Sequence, residues 1–565
     1  MKIVIVGGVA GGASTAARLR RLDEDAEIVI LERTGFVSYA NCGLPYYVGG
    51  VIADEDRLTL QTPGSFRSRF DIDVRVRNEA VSIDRASKTV RVRRLDDGTE
   101  YDEPYDVLVL SPGARALVPD MPGTDDPRVM TLRTVEDTLA MRGFVVGRRP
   151  THAVVAGGGY IGLEVAENLV HMGVRVTLVQ RPDHVLPPLD RDMAADVHHC
   201  LRGNGVELLL SEAVTGFEDG GDRLRVMLRS GRMLEADMAV VALGVVPESD
   251  LASAAGLETG IKGAIVTDTH MRTSDPCIYA VGDAVQVREF VSGTDAVISL
   301  AGPANRQGRI AADNICGIGS EYRGSQGSSV IKVFDMTVAT TGLNEKTAKA
   351  AGIDYDKVYT YSASHATYYP GARNMSVKTL FEKGTGRILG AQIVGYEGTD
   401  KRIDVIATAI RAGGDYRLLE ELDLAYAPPY SSAKDPVNMA GFVIDNVVSG
   451  RIRQFFWDDV ADIAKDPSSL FVDVRSPEEY ARGHLQGSVN IPVDCIRERM
   501  SEIPRDAHVR LICHSALRSY IAGRILMQNG YECSHLAGGY RLYSSVVDDA
   551  GIGSPDGPPC GQGRR

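Results

Sequence analysis

Cysteine is scarce in this chain. Among 565 residues there are eight, at positions 42, 200, 277, 316, 495, 513, 533 and 560, and no two form a C-x-x-C pair. That excludes a thioredoxin-type dithiol and a zinc ribbon, leaves no metal to assign, and suits a reducing, cytoplasmic setting. Long apolar runs are missing too: no uncharged stretch reaches the roughly 18 residues that a membrane span needs. The apolar start breaks at glycines and runs into Arg18, Arg20 and Arg21, so it reads as strand, turn and helix rather than as a signal peptide. Positive charge is in deficit, with 62 Lys and Arg against 75 Asp and Glu and a net charge of −13. Nothing offsets phosphate repulsion globally, which argues against nucleic acid as a partner. The rest is ordinary for a soluble globular protein, 44% apolar and 24% charged, and long enough for three or four domains.

Glycine, by contrast, is abundant and patterned. KIVIVGG (2–8) reads as a buried strand, 13–22 as an Ala-rich helix, and EIVILE (27–32) as a second strand. Gly7, Gly8, Gly11 and Gly12 lie between the first strand and the helix, with Val9 in the middle position of a G-x-G-x-x-G fingerprint; Glu32 ends the next strand. Such glycines let the backbone approach a pyrophosphate at a helix N-terminus, and the acid holds a ribose hydroxyl. A second unit, HAVVAGGGYIGLEVAENL (152–169), carries the full fingerprint at Gly157, Gly159 and Gly162. Its next strand ends in Gln180 and Arg181 instead of an acid. Loss of the carboxylate and gain of a guanidinium favour a 2′-phosphate, and so NADPH. Two dinucleotide folds suggest a flavin site and a nicotinamide site. A third element agrees: in TSDPCIYAVGDA (273–284) Asp283 is set to accept from a ribityl hydroxyl. The helix of 301–315 starts at Ala301 with its positive end toward the flavin edge.

The chemistry centres on Cys42, in FVSYANCGLPYY (36–47). Gly43 follows it and Pro45 fits the first turn of a helix, where N–H groups and the dipole are expected to favour the thiolate. SYANCGLPYY, the paired fingerprints, IYAVGDA, HATYYPGA (365–372) and YAPPYSSAKD (426–435) make residues 1–445 resemble the pyridine nucleotide–disulfide oxidoreductase family. The resemblance is to its single-cysteine branch, coenzyme A-disulfide reductases in particular. It implies an FAD-binding domain from 1–110 and 250–322, an NAD(P)-binding domain at 111–249, and an α+β dimerisation domain at 323–445, hence a homodimer. It implies an aromatic gate over the flavin at Tyr160. It implies coenzyme A contacts at Ser14, Arg18 and Arg21, which share one helix face, and at Ser38, Asn41 and Asn438. Tyr368, Tyr369 and Tyr430 would reach the partner subunit's active cysteine, where a phenol can donate to a thiolate or protonate a leaving sulfur. Phe70 departs from the pattern, which tends to carry a basic residue nearby, and fits a roomier site for other persulfides.

Past a linker at 446–454, residues 455–550 resemble a rhodanese domain with Cys513 as the sulfur-accepting nucleophile. The loop from Cys513 to Arg518 turns its backbone N–H groups inward and runs into a helix N-terminus. Such a nest holds an anionic persulfide, with Arg518 closing the ring or binding substrate charge. Ala516 stands where the family loop has glycine, so a positive φ there would strain the loop. The Gly/Pro-rich stretch 551–565 reads as disordered, with Cys560 a bystander.

The chain is thus expected to be α/β, with two Rossmann-like domains, an α+β dimerisation domain and a rhodanese domain. The expected activity passes electrons from NAD(P)H through FAD to Cys42. Cys42 takes the outer sulfur of coenzyme A persulfide, or of a polysulfide, and hydrosulfide is released, while Cys513 carries sulfane sulfur. With no second cysteine nearby, the oxidised Cys42 is expected to be a mixed disulfide or persulfide. A coenzyme A-disulfide reductase, an NAD(P)H oxidase or peroxidase, and a non-catalytic redox sensor remain as alternatives.

Overall fold

The structure is a computed structural model that describes residues 1–550; the stretch 551–565 with Cys560, read above as a disordered tail, lies outside the described residues. The chain divides into two compact units. One comprises Met1–Asp183 and Gly205–Gly327, the other His184–Asn204 and the described residues 328–550.

The first unit holds two parallel five-stranded sheets. In one, the strand order is Ile278–Ala280, Val107–Leu110, Lys2–Val6, Glu27–Glu32, Asp73–Val76. Its central strands are near-continuous Val, Ile and Leu runs buried on both faces, the composition a covered parallel sheet requires. The second sheet repeats the plan with Glu207–Leu210, Arg175–Gln180, His152–Ala156, Met238–Val241 and Val129–Met130.

In both sheets the first strand ends in a turn that only glycine permits. Gly7 has φ +93° and a Cβ there would lie 2.0 Å from the Ser111 carbonyl oxygen; a Cβ on Gly12 would lie 1.9 Å from that of Gly7. Gly157, at φ +111°, and Gly162 repeat this, with clashes at 2.3 Å and 1.9 Å against the carbonyls of Ala242 and Gly157. The strand that follows each turn closes it in the same way. Glu32 accepts from Gly8 N–H at 2.9 Å and Gln180 accepts from Gly158 N–H at 2.9 Å.

The second unit contains an antiparallel sheet in the order Ser329–Val333, Met336–Gly342, Ile388–Gly395, Asn374–Glu382, Tyr355–Ala363, flanked by the helices Thr399–Arg411 and Pro436–Val448. A parallel sheet follows: Arg453–Phe455, Cys533–Leu536, His508–Ile512, Ser469–Asp473, Val489–Asn490. Its edge strand Arg453–Phe455 starts two residues inside the stretch read as a linker, 446–454, and ends on Phe455, a buried anchor of this core. The helix Arg191–Gly203, read as part of the nucleotide domain, groups with this second unit. The Asp549 carboxylate, wholly buried at the end of the helix Gly539–Asp549, pairs there with Arg191, His198 and Arg202.

Asp190, Asp192 and Glu345 bring carboxylates together within 4.8 Å of one another. The cation among them is the Lys378 ammonium, 2.6–2.9 Å from all three. It offsets the cost of burying that charge and holds Glu345 down to about 2, against the opposing effect of burial.

Candidate active site

Cys42 lies in the short 3-10 turn Asn41–Gly43, and the helix Leu44–Val48 follows with Pro45 in its first turn, as expected. That helix packs on the helices Val135–Arg148 and Tyr160–His171. The fit is close: a Cβ on Gly49 would lie 2.0 Å from Asn168 Oδ1, and Arg142 Nη1 donates to the Val48 carbonyl at 2.8 Å. The second nucleotide fold therefore braces the cysteine loop. Every described cysteine is free, Cys42 among them, and it is exposed.

The expectation of an acidic thiol is not met by the protein groups around Cys42. Packing on its inner side and then the Glu164 carboxyl push the thiol up, with Asp283 adding to this and Arg133 opposing. A five-residue helix has too small a dipole to outweigh these effects. Glu164 is itself pushed up to about 7 by burial; Tyr46 Oη, 3.4 Å from its Oε1, opposes the shift and Glu167 adds to it. Nothing in the sequence singles out Glu164, although it lies within the second fingerprint segment, HAVVAGGGYIGLEVAENL.

Asp283 follows the strand Ile278–Ala280 in the turn Gly282–Ala284, and Arg133 Nη2 holds its carboxylate at 2.9 Å. Gln307, within the helix Ala301–Ile315, accepts from Gly282 N–H at 2.7 Å, and Ala301 at the start of that helix is exposed. Gly308 and Gly11 bring this helix against the first one, since a Cβ on Gly308 would lie 2.5 Å from the Gly11 carbonyl. The three expected flavin elements therefore meet within one unit. Bare glycine turns and an acid at each ribose or ribityl position fit FAD at Gly7, Gly8, Gly11, Gly12, Glu32 and Asp283. The second turn fits a nicotinamide dinucleotide at Gly157, Gly159 and Gly162. Tyr160, half-buried, opens its helix, and Arg181 is exposed beside Gln180.

The loop that carries Cys42 contributes Ser38 to a cavity of about 410 Å³, lined also by Ser14, Arg18, Arg21, Phe70 and Arg309, among others. Four residues expected to contact substrate thus share one concave surface, with Phe70 on its wall. Arg18 pairs with Asp313 at 2.8 Å and Ser14 donates to Asn305 at 2.6 Å. Ser38 is pinned at φ +48° between the Gly8 carbonyl and the Leu60 N–H. The Asn41 side-chain oxygen is buried with no hydrogen-bond partner, an acceptor aimed at a donor that the protein does not supply. Asn438 is structural instead: it is buried, and its amide donates to the carbonyls of Leu419 and Leu422 at the end of the helix Tyr416–Glu421.

In the second unit Tyr368, Tyr369 and Tyr430 are exposed at 74%, 44% and 72%, a large aromatic surface for a single chain. The close pair includes a residue that the sequence does not single out, Tyr368 Oη with Tyr426 Oη at 2.7 Å. Tyr426 opens the segment YAPPYSSAKD, but 58 residues separate the partners. Tyr430 instead lines a cavity of about 530 Å³ with His365, Lys401 and Tyr426.

Cys513 ends the strand His508–Ile512 and is buried. The carbonyls of Cys513 and His514 turn outward to the N–H groups of Tyr540 and Arg541, at 2.8 and 3.0 Å. Arg518 makes a two-point ion pair with Glu479, at 2.6 and 2.7 Å, which holds that carboxyl down to about 2. Ala516 has φ +70°, the strained conformation expected if the loop kept its shape without glycine.

Residues 1–308 match the pyridine nucleotide-disulphide oxidoreductase family, 328–436 its dimerisation domain, and 456–545 the rhodanese-like domain. A coenzyme A disulfide reductase of Staphylococcus epidermidis is 34% identical over 442 residues, covering 78% of this chain and 99% of that protein. The crystal structure of reduced Bacillus anthracis CoADR-RHD aligns with a TM-score of 0.95 at 47% identity, over 97% of this chain and 98% of that one. A NAD-dependent persulfide reductase from A. fulgidus aligns with a TM-score of 0.90 at 39% identity, over 96% and 100%. With its paired glycine turns and the cysteine loop that lies between them in sequence, the chain belongs to the pyridine nucleotide–disulfide oxidoreductase family, an FAD- and NAD(P)H-dependent oxidoreductase of sulfur groups that carries a rhodanese-like domain.

Proposed function

We propose that this enzyme reduces persulfides, coenzyme A persulfide first among them, to thiol and hydrogen sulfide at Cys42, and that Cys513 accepts or delivers sulfane sulfur. The observation that carries this is an exposed thiol with no disulfide partner among the described residues, in a chain that also holds a free, buried cysteine in a rhodanese-like domain. Similarity to a persulfide reductase over nearly the whole length supports it.

In this reading the cavity holds the carrier: Arg21 and Arg309 suit its phosphates, and Ser38 and Asn41 orient the pantetheine end toward the thiol. The Cys42 thiolate attacks the outer sulfur of R–S–SH, so Cys42–S–SH forms and RS⁻ leaves. Two electrons and one proton then regenerate the Cys42 thiolate and release hydrogen sulfide. FAD, when bound, relays those electrons from NAD(P)H. Tyr368 and Tyr426 donate to departing sulfur; their exposure supports a homodimer in which they serve the partner subunit's Cys42. Gln180 and Arg181 favour NADPH over NADH.

A second reading, coenzyme A-disulfide reduction, is favoured by the basic cavity and by the staphylococcal relatives. Steady-state assays separate the two. Hydrogen sulfide released one-for-one with NAD(P)H from coenzyme A persulfide supports the proposal; a far higher kcat/KM for the disulfide reverses the ranking.

A further inference from the structure

Behind Cys513 the structure holds a buried polar chain with no place in the chemistry above. Cys513 Sγ is 3.4 Å from Ser519 Oγ, and Ser519 Oγ is 3.3 Å from His535 Nδ1. Ser519 and His535 are 0% and 3% exposed, and His535 Nε2 is buried with no partner. Burial pushes His535 down to about 4 against the opposing effect of the Ala516 carbonyl, so the ring is neutral near pH 7. Of its two tautomers, the one with hydrogen on Nδ1 leaves only an acceptor unpaired and gives Ser519 a donor.

Ser519 has one hydrogen, and two acceptors compete for it. It donates to the Ala516 carbonyl at 2.9 Å while the Cys513 thiol donates to Ser519. Once Cys513 carries negative charge, as thiolate or persulfide, its sulfur gives up the donor role and becomes the stronger acceptor. The hydroxyl can then rotate to sulfur, with His535 Nδ1–H still supporting its oxygen. The Ala516 carbonyl keeps the Tyr520 N–H as a donor at 3.0 Å, so the rotation does not leave it unpaired.

We propose that Ser519 and His535 are positioning residues that stabilise the anionic forms of Cys513 through a directed chain, His535 Nδ1–H to Ser519 Oγ–H to sulfur. This rests on Cys513 being the sulfur acceptor. The cycle it serves is balanced: the Cys513 thiolate takes the outer sulfur of thiosulfate, giving Cys513–S–S⁻ and sulfite, and cyanide removes that sulfur as thiocyanate and restores the thiolate. The other charged groups around the loop are the pairs Arg518–Glu479 and Arg475–Asp473, with His514 and Arg541. None is altered by changes at Ser519 or His535.

The test uses the full-length holoenzyme and labels Cys513 with methyl methanethiosulfonate, a small thiolate reagent, read by the mass of the Cys513 peptide across pH. In Ser519→Ala the midpoint of the labelling curve moves up by about one pH unit, the worth of one hydrogen bond to a charged group. Ser519→Thr restores it, and His535→Asn, which keeps a donor near Nδ1, shifts it less than His535→Leu. Thiosulfate–cyanide transfer slows about tenfold in Ser519→Ala, mainly in kcat. Unchanged hydrogen exchange across the strands His508–Ile512 and Cys533–Leu536 establishes that each variant keeps the rhodanese-like core. Labelling curves of Ser519→Ala and His535→Leu that superimpose on the parent's overturn the proposal. A shifted Ser519→Ala curve, with a parent enzyme that moves no sulfur to cyanide, upholds the chain and overturns the sulfurtransferase reading instead.

Discussion

Glu164 places a half-buried carboxyl that titrates near neutrality beside the nucleophile, and two measurements follow from its sign. An acid whose folded value lies above its ordinary 4.5 stabilises the fold fully below that ordinary value; its contribution is lost as pH rises through about 7. Glu164→Gln removes that loss. The thermal unfolding midpoint of the variant is expected to match the parent's near about pH 4 and to exceed it near about pH 8.5. Equal differences at both pH values would mean that Glu164 does not titrate between them. The same substitution removes the carboxylate that pushes the Cys42 thiol up, so thiol labelling at Cys42 is expected to quicken at neutral pH. Release of hydrogen sulfide should fall only if the Glu164 proton is the one delivered. Cys42→Ser is expected to abolish that release while leaving the flavin bound and bleached by NAD(P)H; retained release would remove Cys42 from the chemistry.

The paired strand–turn–helix elements offer a matched comparison, because Gly12 and Gly162 would put a Cβ at the same 1.9 Å from a carbonyl oxygen. Gly12→Ala is expected to yield protein lacking flavin absorbance, and Gly162→Ala yellow protein that NAD(P)H no longer bleaches. The reverse assignment would exchange the two cofactors between the folds. In the rhodanese-like loop, Ala516→Gly relieves a left-handed Cβ contact, and about 1 kcal/mol of stabilisation is expected after the entropy cost of glycine. Slower hydrogen exchange across Leu517–Gln528 would register it. These elements are legible in the sequence because their constraints are local: glycine spacing, a strand's closing residue, a missing glycine in a loop. What the sequence hides is assembled across distance. Tyr430 draws attention before Tyr426, since nothing local reveals which phenol meets Tyr368. The helix Arg191–Gly203 takes its sequence assignment from its place in the chain, whereas its buried partner, Asp549, lies 347–358 residues away. The acidity expected of Cys42 fails because a helix start can be read from Pro45, while the crowding and the carboxyl that oppose it come from another element.

At the scale of the whole molecule, two free cysteines in opposite settings share one chain. Cys42 is exposed on the nucleotide-binding unit, and Cys513 is buried behind an ion-paired arginine. An exposed thiol whose loop borders a basic cavity suits a bulky, phosphorylated carrier that docks and leaves, whereas a buried thiol in a tight loop suits a small inorganic donor or a sulfur that is held. If the two act in parallel, each substitution should silence one activity alone. Cys513→Ser should leave hydrogen sulfide release from coenzyme A persulfide within about twofold of the parent, and should eliminate thiosulfate–cyanide transfer; Cys42→Ser should do the converse. If sulfur passes obligatorily through Cys513 first, Cys513→Ser halts both activities with every donor. A mixture of the two variants tells whether sulfur moves between them. If NAD(P)H-dependent hydrogen sulfide release from thiosulfate runs through both thiols, each variant alone lacks it, and its recovery on mixing means that a persulfide formed on Cys513 of one molecule reaches Cys42 of another. No recovery confines the transfer to thiols that share one homodimer.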